Sequence, residues 1–406
     1  MSKHLPEEDD ARDDWRTRAE DVIPGGSSTG SKRAAALYGS ESHDNRLPTH
    51  YESANGCRIT TTEGTRLVDC SMALGAVAIG YADPSITQAV VDAAISGNVS
   101  GLPHRLEVEV AERLLDVIPS AEQVRFLRTG AEANAAAIRA ARTYTSRTHI
   151  IACGYFGWLD WCNDNAGIPA STRSEITWVQ FNDVDSLNTA FAVLGSTAAA
   201  LIIEPLVETL ASADWLQTAR SLCDTYGTVL IFDEVKTAFR VRTGGVQALL
   251  GIEPDLTTLG KAMANGYPLS SLVGRAELMS AVTRTWISST AAAESTGLAA
   301  AGAVLDWHER TDVCARLAEI GEAMRATVAE ALSGFPELGI RAEGESVMWR
   351  LVSDNPAHVD TLVASATRHG VLFKRGAYQF ASLAHDDEAI RALNHAVKAS
   401  LSGILE

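Results

Sequence analysis

The chain has six lysines in 406 residues, at positions 3, 32, 236, 261, 374 and 398. One of them sits where an amine could do chemistry. Lys261 follows Pro254-Asp255-Leu256-Thr257-Thr258-Leu259-Gly260, a short β-like run ending in glycine, and lies among small and apolar residues (LGKAMANG). Such surroundings solvate an ammonium poorly and lower its pKa. A lysine kept neutral in this way attacks carbonyl carbon and can form a Schiff base. Taken alone, Lys261 reads first as a surface lysine just past a strand.

Twenty-eight residues earlier, Asp233 closes the run Leu230-Ile231-Phe232-Asp233-Glu234-Val235. The carboxyl end of a buried strand is where ligands bind in open α/β sheets. An acid there suits the pyridine nitrogen of pyridoxal phosphate (PLP), which must stay protonated for the ring to act as an electron sink. Asp233 could also be a helix N-cap or a metal ligand, but no GxxxxGK[ST] precedes it to support a Walker-type site. Lys236 beside it reads as a solvated residue past the strand. Arg128-Thr129-Gly130-Ala131-Glu132-Ala133 stands after a strand and opens an alanine-rich helix. Its backbone N–H groups, a hydroxyl and a glycine suit phosphate, although Thr-Gly is also ordinary capping. In Cys153-Gly154-Tyr155-Phe156-Gly157-Trp158, Tyr155 could stack on a planar ring or fill the core.

Positioning these groups requires alternating strands and helices. The pattern predicts strands over 124–127, 149–152, 201–204, 229–232 and 269–273, with helices over 106–117, 131–144 and 215–226 between them. That alternation implies an α/β fold with a mainly parallel sheet covered on both faces. Residues 1–20 read as a mobile or helical tail, 58–74 as a small β-meander, and Pro84 as the first turn of a helix with Ile86, Val90, Val91 and Ala94 on one face. After a helix over 297–309, the last hundred residues read as an α+β lobe. It contains a helix over 324–332, a strand over 346–351 and a closing helix over 388–401. The expected division is 1–80 and 306–406 for a small domain built from both chain ends, and 81–305 for the large one.

The balance of 34 basic and 51 acidic residues gives a net charge of −17, with 46% hydrophobic residues. This is a globular composition that repels nucleic-acid phosphate and anionic membranes. The apolar run 189–203 is too short to span a bilayer, and the acidic start carries no signal segment. Six cysteines without CxxC spacing imply free thiols and no metal site, so a cytoplasmic protein is expected. A cofactor-sensing regulator would need a DNA-binding helix-turn-helix, for which this acidic chain offers nothing.

The ordered motifs LVDCSMALGAVAIGY, TGAEA, CGYFGWLDW, IIEP, IFDEVKTAFR, PDLTTLGKAMANGYP and Ser288-Ser289-Thr290 resemble those of the class III, fold-type I PLP aminotransferases. The branch they resemble most is the one related to glutamate-1-semialdehyde aminomutase. The likeness implies that Lys261 holds the cofactor and then moves a proton, that Asp233 pairs with the pyridinium, and that Val235 and Tyr155 cover the two faces of the ring. Thr129, Gly130 and Ala131 would hold the phosphate. Thr290 would reach the phosphate of a neighbouring subunit, making a homodimer with a shared site. Glu204 matches the family's Glu-Pro as a supporting residue. Arg128 and Ala131 depart from the usual phosphate turn, and Phe156 and Leu159 replace histidines of the sugar-directed members.

Loop 28–33 resembles that of relatives working on sugars and aminocyclitol antibiotics, so Lys32, Arg33, Phe156 and Trp158 are the expected substrate contacts. Arg240, Arg375 and Arg33 are candidates for the donor carboxylate. The activity implied is amination of an oxo-sugar such as an aminoglycoside, with glutamate or glutamine as donor. An isomerase acting at an amine-bearing carbon is the alternative, with Tyr155, Cys162 or a water as its second acid. His385 reads as structural.

Overall fold

The computed structural model describes residues 15–402; residues 1–14 of the expected tail lie outside them, and Trp15–Val22 is helical. At the centre lies a seven-stranded sheet in the order Gln123–Leu127, Ser270–Gly274, Leu256–Leu259, Val229–Asp233, Ala198–Ile203, His149–Cys153, Ile176–Trp178. Ser270–Gly274 runs antiparallel to both its neighbours; the other pairings are parallel. Every residue of Ala198–Ile203 and of Val229–Asp233 is buried, which is why these strands read as unbroken apolar runs rather than alternating ones. The run 189–203 divides between the end of helix Val184–Leu194 and strand Ala198–Ile203. No helix among the described residues is long and apolar enough to cross a membrane.

Register explains how distant motifs converge. Cys153 pairs with Ile203, Ile203 with Phe232, and Asp233 with Thr258. Adjacent strands therefore end level with one another, and the segments after them (from Gly154, Glu204, Glu234 and Gly260) emerge side by side. Leu127 pairs with Ser270 on the antiparallel strand, which brings the Arg128–Ala131 turn to the same edge. Helix Gly130–Thr145 begins there and buries Ala133, Ala136, Ala137, Ala140 and Ala141. Small side chains on that face let the helix axis lie close over the sheet.

The two chain ends meet in one sheet. Strands Tyr51–Asn55, Arg58–Thr61 and Arg66–Asp69 form an antiparallel meander, and Val371–Leu372 adds to it in parallel beside Arg66–Asp69. A third sheet comprises Arg341–Glu345, Met348–Val352 and Tyr378–Phe380. A division between 305 and 306 would cut the continuous helix Ser295–Arg310. Helix Pro84–Ser96 buries Ile86 and Ala93, whereas Val91 is exposed and so is Ala94. Its inward face is thus Ile86, Ala89, Val90 and Ala93, a correction of one residue position. The i, i+3, i+4, i+7 spacing from Ile86 falls on that set.

Candidate active site

A cavity of about 430 Å³ opens at the carboxyl edge of the large sheet. Its lining includes Thr129, Gly130, Ala131, Tyr155, Trp158, Asp233, Val235 and Lys261. That volume is within the ordinary range for a small-ligand site. The segments that meet there are those whose strand ends the register aligned.

At the start of helix Gly130–Thr145, Thr129 and Glu132 form a reciprocal capping box. The Thr129 hydroxyl accepts from the Glu132 amide, and the Glu132 carboxylate accepts from the amides of Arg128 and Thr129. The first amides of a helix have no partner within it. Those of Gly130 and Ala131 consequently remain as donors at the cavity wall, which suits an anion. Gly130 also keeps the wall thin, since a Cβ there would stand 3.0 Å from a Val235 methyl.

Asp233 is buried and held from two sides. Its carboxylate accepts from Asn134 Nδ2 at 2.8 Å and from the Val235 amide at 2.9 Å. Asn134 in turn accepts from the Thr258 hydroxyl at 2.7 Å, so a chain of hydrogen bonds runs from the neighbouring strand to the acid. Burial, reinforced by the negative charge of Glu204, pushes the Asp233 carboxyl up to about 7, against the pull of those two donors. A cation brought beside it would favour the carboxylate again.

Lys261 follows strand Leu256–Leu259 with a backbone φ of +47°. This left-handed conformation is uncommon outside glycine and clusters at functional sites. Burial, and then the charge of Lys236, lowers its amine to about 8. The direction is the one that the apolar surroundings in the sequence implied.

The loop after Cys153 packs tightly. Gly154 and Gly157 adopt φ of +136° and +102°, and a Cβ at either would collide, with Glu204 side-chain carbons at 2.8 Å and with the Ala131 Cβ at 2.4 Å respectively. Tyr155 is 71% exposed and Trp158 74% exposed, so Tyr155 is not the core aromatic of the alternative reading. Its neighbour Phe156 is. Phe156 borders the cavity, but its ring is buried and stacks with Trp161 and Trp178 at 5.8 and 6.1 Å.

Lys32, Arg33 and Thr290 are not brought to this cavity within the chain. Lys32, in the short turn Gly30–Lys32, lines a separate hollow with Tyr38, Asp69 and Tyr81. Arg33 donates to the Pro24 carbonyl at 3.4 Å. Thr290 lines a third hollow with Arg125 and Ser288. Arg240 is fully buried and donates to the carbonyls of Ala381, Gly75 and Val77, while Arg375 pairs with Asp360.

Lys236, read as solvated, is instead folded inward. Its ammonium pairs with Glu204 at 2.9 Å and lies 5.1 Å from the centre of the Tyr378 ring. The other Glu204 oxygen accepts from the Tyr155 amide at 2.8 Å. Asn134 and the pairing of Lys236 with Glu204 escaped sequence reasoning. An uncharged amide among the alanines of GAEANAAA, one turn into the helix, was the available signal for Asn134. His385 is buried, bonded to the Ser382 amide and the Asp69 carbonyl, and held down to about 4 by burial, in keeping with a structural role.

A family model for class-III aminotransferases matches residues 38–162 and 163–398. The chain belongs to that family. The class III aminotransferase is 34% identical over 358 residues to the 2'-deamino-2'-hydroxyneamine transaminase of Streptomyces kanamyceticus, a match covering 86% of this chain and 90% of that one. It is 39% identical over 252 residues to a glutamate-1-semialdehyde 2,1-aminomutase of Symbiobacterium thermophilum, where the match spans 57% of this chain and 58% of the relative. Among solved structures, the FumI protein of Sphingopyxis sp. MTA144, in its PLP form, superposes with a TM-score of 0.91 at 28% identity, over 97% of this chain and 96% of that one. The enzyme is an aminotransferase of PLP fold type I, and its cofactor is PLP. The cavity fits that group, with free amides at Gly130 and Ala131 for a phosphate, a buried acid at Asp233 for a ring nitrogen, and an amine of lowered pKa at Lys261.

Proposed function

We propose that this aminotransferase moves an amino group between an amino acid donor, glutamate or glutamine, and an oxo-sugar of the aminoglycoside type. The observation that carries the substrate class is the Streptomyces kanamyceticus relative, matched along nearly its whole length. When bound, PLP supplies an electron sink for the carbon that carries the amine. The chain's residues do the rest. Gly130 and Ala131 amides and the Thr129 turn anchor the phosphate, Asp233 keeps the ring nitrogen protonated, and Asn134 keeps Asp233 aimed. Val235 and Tyr155 confine the ring between them. Lys261 would hold the cofactor, and its amine of lowered pKa would take and return the proton at the reacting carbon.

The site is completed by a second subunit in this reading. Thr290, which is absent from the cavity lining of its own chain, would serve the partner's phosphate. A net charge of −17 draws a cationic sugar toward the protein, within the ~8 Å over which salt leaves such steering effective. Trp158, exposed at the cavity mouth, is a surface on which a sugar ring could lie.

The aminomutase relative supports a second reading, isomerisation at an amine-bearing carbon. An epimerase needs an acid on the face opposite Lys261. Cys162 is poorly suited to it, because burial pushes its thiol up to about 11 and it is bonded to the Leu159 carbonyl at 3.3 Å. The experiment that separates the readings is a half-reaction. PLP-loaded protein is mixed with an amino sugar or with glutamate and followed by absorbance for conversion to the pyridoxamine form. Conversion with both supports transfer. Solvent deuterium entering the substrate without conversion supports isomerisation, and no change with any amino sugar or with glutamate removes the proposal.

A further inference from the structure

An amino acid donor brings a carboxylate, and the cavity must have something to receive it. The three arginines that charge alone put forward are committed elsewhere, Arg240 to three backbone carbonyls, Arg375 to Asp360 and Arg33 to Pro24. Besides Lys261, the described cavity lining holds two cations, Arg128 and Lys236. Arg128 belongs to the helix-start end, where its guanidinium lies 3.3 Å from the Ala291 carbonyl and 3.5 Å from Glu294. Lys236 belongs to the end formed by Tyr155 and Glu204.

The Lys236 side chain is only 13% exposed. An ammonium carries three N–H donors. The ammonium pairs with Glu204 at 2.9 Å and a face of it rests on the Tyr378 ring, so N–H donors remain for an anion that enters the cavity. A hydrogen bond from an ammonium to a carboxylate is charge-assisted and about twice as strong as one between neutral groups. Glu204 is in the opposite condition, since one oxygen serves Lys236 and the other the Tyr155 amide. The two lysines share one space: after burial, the charge of Lys236 is the largest influence lowering Lys261.

We propose that Lys236 binds the carboxylate of the amino donor, and that Glu204 competes with that carboxylate for the ammonium. The inference rests on the transfer reading above and names the donor-binding group within it. It makes this end of the cavity a site for an anion, so a cationic sugar must approach the reacting carbon with a neutral or oxygen-bearing portion of itself.

The competition gives the test opposite signs. Glutarate, a dicarboxylate with no amine to react, is titrated into the PLP-loaded protein by calorimetry. Lys236→Met should weaken binding by about tenfold or more, the loss expected for one charge-assisted hydrogen bond, and Lys236→Arg should largely restore it. Glu204→Gln retains an acceptor for the Tyr155 amide but removes the competing charge, and should tighten binding several-fold. Equal weakening by Lys236→Met and Glu204→Gln would mean that the pair is merely structural and would overturn the proposal. So would unchanged binding in Lys236→Met, or no glutarate binding by the loaded wild type. Failure of the transfer reading is distinguishable, because it shows as a wild type that takes up no PLP or gives no half-reaction. If Lys236→Met does not fold, the Glu204→Gln and Lys236→Arg arms still decide the sign.

Discussion

Lys261 should titrate far below an ordinary lysine in the cofactor-free protein. Burial and the nearby charge of Lys236 bring it from 10.5 to about 8, a penalty on the ammonium of about 3 kcal/mol. At pH 7.4 roughly 20% of such an amine is neutral, against roughly 0.1% for an unperturbed lysine. Its reactivity toward an electrophile should therefore be raised by roughly two orders of magnitude. The assay is trace acetylation of the cofactor-free protein from pH 6 to 11, with the Lys261 peptide quantified by mass spectrometry against a free lysine derivative as internal standard. Lys236→Met should move the Lys261 midpoint upward, because a neighbouring positive charge has gone while the burial remains. A wild-type midpoint at 10 or above would refute the chain of reasoning from apolar surroundings to a neutral nucleophile.

Other consequences are as direct. Asn134→Ala removes a donor from Asp233 and strands the Thr258 hydroxyl, so PLP affinity, measured by fluorescence titration, should fall about tenfold or more; unchanged affinity would remove Asn134 from the site. Gly157→Ala should loosen the loop from the start of helix Gly130–Thr145, since its Cβ would meet that of Ala131 at 2.4 Å, and hydrogen exchange of residues 154–158 should rise. Asp233 has a folded pKa raised from 3.8 to about 7, so its protonation stabilises the cofactor-free fold at low pH and that contribution is lost as pH rises from about 4 to about 7. The wild type minus Asp233→Asn difference in denaturation midpoint should decline over that window, and a flat difference would contradict the placement.

Much of this was legible in the chain because chemistry and fold used the same residues. Asp233 ends a strand buried on both faces, and a strand of that kind is an unbroken apolar run that any reading picks out. Lys261 follows a β-like run ending in glycine, and Thr129 caps a helix whose alanines announce it. The helix Leu106–Val117 falls where the spacing put it. What escaped depends on contacts between distant segments. Lys236 looks solvated beside Asp233 in sequence, and its inward fold depends on Glu204 from another strand end and on Tyr378 from the C-terminal lobe. Tyr155 and Phe156 are adjacent aromatics, and only the turn at Gly154 and Gly157 decides which of them is exposed and which is buried. Strand Ile176–Trp178 has three residues and is too short to show a period.

Reduction in place tests most directly whether Lys261 is the amine that takes the cofactor. Cofactor-free protein incubated with PLP, freed of excess, reduced with borohydride and digested should turn from yellow to colourless and carry the reduced pyridoxyl phosphate group on the Lys261 peptide. A preparation that stays colourless on reconstitution, or one that carries the group on Lys236 instead, would contradict the account.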